Sequence, residues 1–265
     1  MKWSLQKIEI TVAAVVLVIL LVWMGSAGVW SANGEIAEEE DKQVFREQIA
    51  VKMDVTKGLL GGTEKEYTYY TGLEGGAKKA PDEIVIAIDA GHGGADDGCV
   101  RRGVKEKEVN YKIAEKVQKK LMGLGYQVVM VRESDTFMTL TKRVKVARRA
   151  HADIYVSIHQ NSSDITSARG VEAYYSGQNA KEDSKRLAEL LHAQVLEETG
   201  ANKRSIYEWE EFHVIRESVM PSCLIETGFL TNASERYRLS DDSYQEKIAE
   251  GIVSGIQQYF NPETE

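Results

Sequence analysis

Cysteine and clustered positive charge are scarce in this chain, and each shortage narrows what it can be. Two cysteines among 265 residues, Cys99 and Cys223, are too few for a disulfide scaffold and lack the CxxC spacing of a zinc or redox motif. Both read as packing residues, with a mutual bridge as the alternative. No basic block or stripe stands out, and a net charge of -8 with a pI near 5.4 argues against nucleic acid as the main partner. A neutral or small partner is expected. No internal repeat or low-complexity tract occurs either. With 43% hydrophobic residues the chain can bury a sizeable core, in one domain or two.

The N-terminus is biased differently from the rest. Lys2 and Lys7 precede the apolar run VAAVVLVILLVWMGSAGVW, residues 12–30, and the acidic residues 38–41 follow it. The run approaches the roughly 20 residues that cross a bilayer, and its basic flank is expected on the cytoplasmic side. Residues 1–30 thus read as a cytoplasmic tip and membrane anchor. Everything beyond is expected outside the membrane, as a single-pass protein of the cell membrane. The alternative is a secreted protein, because Gly25, Ser26 and Ala27 are small residues of the kind cleaved after a signal sequence; the apolar character continuing to Val29 and Trp30 favours the anchor. Residues 31–81 are polar and glycine-punctuated and read as a stalk, with one short helix at 41–53 as its only regular element. Tyr67, Tyr69 and Tyr70 belong to that stalk and read as packing residues.

From Pro81 onward strand-like and helix-like segments alternate. EIVIAID (83–89), YQVVMVR (126–132), DIYVSIH (153–159), GVEAYYS (170–176) and SCLIETG (222–228) are rich in Val, Ile and Tyr and read as strands. Residues 106–124, 140–150, 180–199 and 244–260 read as helices. This order predicts an α/β fold with a largely parallel sheet flanked by helices. Ligands of such sheets bind beyond the carboxyl ends of the strands, where His92, His159 and Glu226 all fall.

His92 is one of five histidines and stands between Gly91 and Gly93-Gly94, so it has no side-chain packing beside it and does not read as a core residue. A catalytic zinc usually takes three protein ligands and keeps a fourth position for water. Glu106 and Glu108 both open the segment 106–124. The expected buried stripe runs through Val109, Ile113, Val117 and Leu121, and Glu106, three residues before its first member, shares its side. Glu108 instead heads a polar row with Lys112 and Glu115. Glu106 is therefore the ligand candidate, against the plainer reading of a first-turn carboxylate that suits the helix dipole. His151, His192 and His213 fit no metal motif and read as structural or surface residues. Asn161 could position substrate or hold its loop, and Asp89 and Asp96 could support the metal ligands or shape the loop.

Four motifs, DAGHGGADDG, EKEVNYKIA, ADIYVSIHQNS and CLIETGFLTNASE, resemble in order and spacing those of the zinc-dependent N-acetylmuramoyl-L-alanine amidases of the amidase_3 type. The likeness runs from about residue 84 to 260. It implies a phosphorylase/hydrolase-like α/β domain over residues 82–261, one Zn2+ per chain held by His92, Glu106 and His159, and Glu226 as the catalytic carboxylate. It further implies hydrolysis of the amide joining N-acetylmuramic acid to the L-alanine of the peptidoglycan stem, so that peptidoglycan is the partner. No room is expected between the strand bearing His159 and the helix near Ala180 for the inhibitory helix of some members, nor after Phe260 for a wall-binding repeat, so the anchor would do the localising. Anchor, stalk and domain together resemble the germination-specific amidases of spore cortex, although vegetative wall turnover would suit the same layout. Two other classes stay open: a catalytically inactive wall-binding or regulatory homologue, disfavoured because all four site residues are present, and a zinc peptidase cutting within the stem.

Overall fold

The computed structural model describes residues 79–261. The anchor and the stalk as far as residue 78, with its short helix and tyrosines, lie outside the described residues. Among those described, no helix is long and apolar enough to cross a membrane.

After a single 3-10 turn at Pro81–Glu83, the elements are β1 (Val85–Ala90), β2 (Val100–Arg101), β3 (Val104–Lys105), α1 (Glu106–Gly123), β4 (Gln127–Met130), α2 (Leu140–Arg149), β5 (Ile154–Asn161), β6 (Val171–Tyr175), α3 (Lys181–Thr199), β7 (Lys203–Glu208), α4 (His213–Arg216), β8 (Ser222–Phe229), α5 (Ala233–Leu239) and α6 (Asp242–Phe260). The main sheet has the order β4-β1-β5-β8-β6-β7. β4, β1, β5 and β8 are mutually parallel, whereas β6 pairs antiparallel with β8 and parallel with β7. The expected α/β fold with a mostly parallel sheet is present, with its last two strands reversed as a unit.

All five expected strands and all four expected helices occur with ends shifted by a few residues. β7 was not expected from the sequence. Its segment KRSIYE lies at the sheet edge with mostly exposed side chains, so it lacks the apolar alternation that betrays a half-buried strand. The β2–β3 hairpin was also unforeseen; Arg102 and Gly103 both have positive φ, 52° and 82°, as the twist-matched two-residue hairpin turn requires.

Strand alternation divides the core into two unequal layers. Ile86 and Ile88 of β1, Ile154, Val156 and Ile158 of β5, and Cys223 and Ile225 of β8 pack with α1, α3 and α6. The alternate residues Ala87, Tyr155 and Leu224 meet only the shorter α2 and α4, through Val144, Ala147, Val214 and Ile215. Ser157 and His159 follow Tyr155 by twos, and Glu226 follows Leu224. The polar members of the central strands therefore point to the thinly covered face, where a cavity can open. Both cysteines are free, Cys223 buried and Cys99 partly so, so the packing reading holds over the bridge.

α6 lies close against α3 because Gly251 and Gly255 carry no side chain: a Cβ on Gly251 would come within 2.6 Å of the Val195 Cα, and one on Gly255 within 2.9 Å of the Leu191 Cα. Both contacts are to backbone, which cannot swing aside, so Gly251→Ala should push the helices apart. Overpacking of this kind costs about 1–3 kcal/mol. We expect a lower denaturant midpoint with an unchanged slope; an unaltered midpoint would contradict this packing.

Candidate metal centre and active site

β1 ends at Ala90, and the loop beyond it is built to carry one imidazole. His92 adopts the left-handed conformation, φ 61°, and Gly93 and Gly94 follow at positive φ. A non-glycine residue held there is strained, and two buried arginines hold it. Arg143 donates to the carbonyls of Ala90 and His92 at 2.9 and 2.6 Å, while Arg132 donates to those of Ala90, Gly91 and Lys107. Asp89 balances Arg143 at 2.6 Å and accepts from the Tyr155 and Ser157 hydroxyls. Two glycines then leave room for the ligands. A Cβ on Gly91 would stand 2.2 Å from the His159 ring, and one on Gly98 would stand 2.6 Å from both Glu106 Oε2 and the His92 ring.

Glu106 opens α1 and is 4% exposed, whereas Glu108 is exposed. Helical phase thus selects the buried carboxylate of the two. Its Oε1 lies 3.1 Å from His92 Nε2 and 3.0 Å from His159 Nδ1. Ligand atoms of His92, Glu106 and His159 all fall within 4.8 Å of one another. A tetrahedral site with bonds of about 2.0–2.1 Å has ligand–ligand edges of roughly 3.3 Å, so the donor set and its spacing suit a divalent ion. His92 Nδ1 meets Asp96 Oδ2 at 2.8 Å, the partnership that fixes a ligating imidazole's tautomer and orientation. Asp89 and Asp96 accordingly shape and support the loop.

Glu226 stands in register with His159 of β5 on one side and Glu172 of β6 on the other. It lines the same cavity as the three metal-site residues, a space of about 660 Å³. Its Oε2 is buried and has no hydrogen-bond partner among the described residues. Burial, reinforced by the charges of Glu106 and Glu172, pushes its pKa well above the usual carboxylate range. Val100, Phe137, Leu140, Phe212 and Val214 contribute an apolar wall.

Several residues of the site were not singled out in the sequence. Asn110, one turn after Glu106, donates to Glu106 Oε1 and the Gly91 carbonyl; Gln160 donates to Asn110 and accepts from Thr227. Phase could have found Asn110, which shares the stripe of Val109 and Ile113, but nothing local marks Gln160, Arg132 or Arg143. Asn161 donates to Glu172 Oε2 at 2.6 Å. His192 is buried and donates to the Val171 carbonyl, as a structural residue would, whereas His213 reaches the cavity rim.

The Amidase_3 family, described as N-acetylmuramoyl-L-alanine amidase, matches residues 86–258. The chain belongs to this family. It is similar to the N-acetylmuramoyl-L-alanine amidase LytC of Bacillus subtilis, 41% identical over 175 residues that cover 66% of this chain but 35% of LytC. It is also similar to the germination-specific N-acetylmuramoyl-L-alanine amidase of the same organism, 31% identical over 190 residues that cover 66% of this chain and 79% of that protein. Among solved structures, the catalytic domain of CwlV, an N-acetylmuramoyl-L-alanine amidase from Bacillus (Paenibacillus) polymyxa var. colistinus, superposes with a TM-score of 0.64 at 41% identity, covering 67% of this chain and 98% of that domain.

The site's electrostatics give a pH test. Burial alone would lower the His92 pKa, but the hydrogen bond and charge of Glu106, then those of Asp96, outweigh it and raise the pKa from 6.5 to about 9. Glu106 is disfavoured by burial as an anion, yet its two histidine partners hold its pKa well below the usual range. It stays ionised wherever His92 titrates. In the metal-free protein the raised His92 pKa contributes stability that is complete below 6.5 and is lost as pH rises through about 9. A metal ion needs the neutral imidazole, so its binding strengthens over that same window. The gain in melting temperature on adding Zn2+ to stripped protein should therefore grow as pH rises from 6.5 towards 9. A gain independent of pH would contradict ligation through His92.

Proposed function

We propose that this chain is a zinc-dependent N-acetylmuramoyl-L-alanine amidase, a peptidoglycan hydrolase that cuts the amide between the lactyl group of N-acetylmuramic acid and the first L-alanine of the stem peptide. The observation that carries this reading is a single cavity combining a two-histidine, one-carboxylate donor set with a separate buried carboxylate, Glu226, whose Oε2 has no partner among the described residues. His92, Glu106 and His159 would hold the ion, which when bound supplies positive charge that polarises a carbonyl and acidifies water.

The remaining work falls to the chain's own groups. Glu226 accepts the proton of the attacking water and delivers it to the nitrogen of the departing L-alanine. A carboxylate with raised proton affinity is suited to holding that proton between the two transfers. Asp96 keeps the His92 ring aimed by its bond to Nδ1, and Arg143 and Arg132 keep its loop in place. The apolar wall of Phe137, Leu140 and Phe212 limits water around the reacting amide.

Residues 12–30 would anchor the protein in the cell membrane, 31–81 would form an extracytoplasmic stalk, and 82–261 the catalytic domain. That layout suits a spore-cortex role and vegetative wall turnover alike.

Mass spectrometry of peptidoglycan digested with the protein should show free stem peptides beginning with L-alanine. Shortened stems still attached to sugar would identify a stem peptidase, and unchanged material a binding protein. In the same assay Glu226→Gln should retain bound metal and lose about 10²- to 10⁴-fold in rate, roughly 3–5 kcal/mol. Loss of metal alongside activity would make Glu226 a ligand instead of the proton carrier. For the anchor, the mature protein should begin at Met1 or Lys2 and fractionate with membranes; a mature N-terminus between Ala27 and Ser31 would replace the anchor with a cleaved signal.

A further inference from the structure

A second cavity of about 400 Å³ adjoins the first and shares Asn161 and Ser162 with it. Its lining mixes small polar residues, Ser162, Ser163 and Ser167, with Ile165 and Phe229, and among the described residues only two charged ones face it, Glu172 and Arg204. Their states differ. Glu172 is buried and fully engaged: Oε1 accepts from Arg204 Nε at 2.5 Å, and Oε2 accepts from Asn161 Nδ2 and the Tyr174 hydroxyl, both at 2.6 Å. Nothing of its charge is left to recruit a cation.

Arg204 is held but not used up. Its Nε bond to Glu172 fixes one edge of the guanidinium, and its plane lies 5.1 Å over the Phe229 ring. Gly170 leaves room for the stem of this side chain, since a Cβ there would stand 3.0 Å from Arg204 Cγ. Among the described residues no hydrogen bond is found to Nη1 or Nη2, and the side chain is 38% exposed. A guanidinium held through Nε, half-exposed and lining an open pocket, keeps two nitrogens for a planar, two-oxygen acceptor. Carboxylates have that shape.

We propose that Arg204 binds a carboxylate on the peptide half of the substrate, making the second cavity a subsite that selects an acidic residue beside the scissile alanine. The inference rests on the amidase reading above and assigns Arg204 to substrate specificity and not to the bond-breaking step. Because Glu172 offsets the charge of Arg204, discrimination depends on the two outer hydrogen bonds more than on a net positive field.

The test compares two soluble substrates on the full metal-loaded chain: N-acetylmuramoyl-L-alanyl-D-glutamate and its diamide, in which both carboxylates are carboxamides. Arg204→Gln should raise KM for the diacid by about tenfold, on the scale of a charge-assisted hydrogen bond, while KM for the diamide and kcat for both stay within about twofold. Arg204→Lys keeps a cation beside Glu172 without the fork, and it should also raise KM for the diacid alone, which keeps the test decisive if the glutamine variant fails to fold. Equal effects on both substrates would reduce Arg204 to a structural role and overturn the proposal, as would no effect on either. Cleavage of both substrates by the unmodified chain with indifference to Arg204 would defeat this inference alone. Release of no peptide from either substrate by the metal-loaded chain would defeat the amidase reading and the inference with it.

Discussion

The carboxylate of Glu106 is the interaction on which the site depends, because separate elements of the chain converge on its two oxygens. Oε1 faces both imidazoles and accepts from the Gln160 amide and the Asn110 side chain; Oε2 accepts from the Cys99 amide. The loop after β1, the segment entering the β2–β3 hairpin, α1 and β5 are thus joined through one group. Taking a carboxylate out of water costs several kcal/mol even after relaxation, so such a group is tolerated only with its lone pairs filled. Its place at the first residue of α1 adds the favourable field of the helix N-terminus. The two readings of Glu106, metal-site residue and first-turn carboxylate, are therefore compatible. The helix start lowers the cost of burying the charge that the site uses.

The same logic explains why two arginines lie under a single loop. Arg132 and Arg143 repel each other, and burial together with that repulsion lowers the Arg132 pKa. Asp89 answers with a buried bond to Arg143, and backbone carbonyls absorb the remaining donors. The result is a loop whose first carbonyls, those of Ala90, Gly91 and His92, are held by arginine. That support keeps His92 at positive φ and beside its partner Glu106. Strain at His92 and charge at Glu106 are balanced by one continuous buried polar network.

How much of this could be read from the chain follows from how local each signal is. His92 was legible because glycines isolate it from any core, and Glu106 because helical phase separates it from Glu108. His159 and Glu226 were legible because strand ends can be placed from apolar runs. β7 was not, because an exposed edge strand carries no alternation, and neither was the reversal of β6 and β7, since a strand's direction in the sheet leaves no mark on its own residues. Arg132, Arg143 and Gln160 were missed for a related reason. The partners that tie them to the site lie 25 or more residues away, and nothing beside them in sequence announces a buried polar role. Helix phase and strand parity expose what a residue's own element dictates, whereas long-range hydrogen bonding becomes visible only once the elements are packed.

The reversed pair β6–β7 has a chemical consequence that topology alone would not suggest. By running antiparallel to β8, β6 sets Glu172 directly opposite Glu226, an arrangement normally unfavourable for two like charges in facing strands. Two buried carboxylates so close cannot both ionise cheaply, and their surroundings decide which gives way. Glu172 accepts hydrogen bonds from Arg204, Asn161 and Tyr174, while Glu226 has a buried Oε2 with no partner among the described residues and the added charge of Glu106 nearby. The proton affinity that is raised is therefore that of Glu226. An ordinary glutamate thus acquires a raised proton affinity where the nearby donors are given to its neighbour.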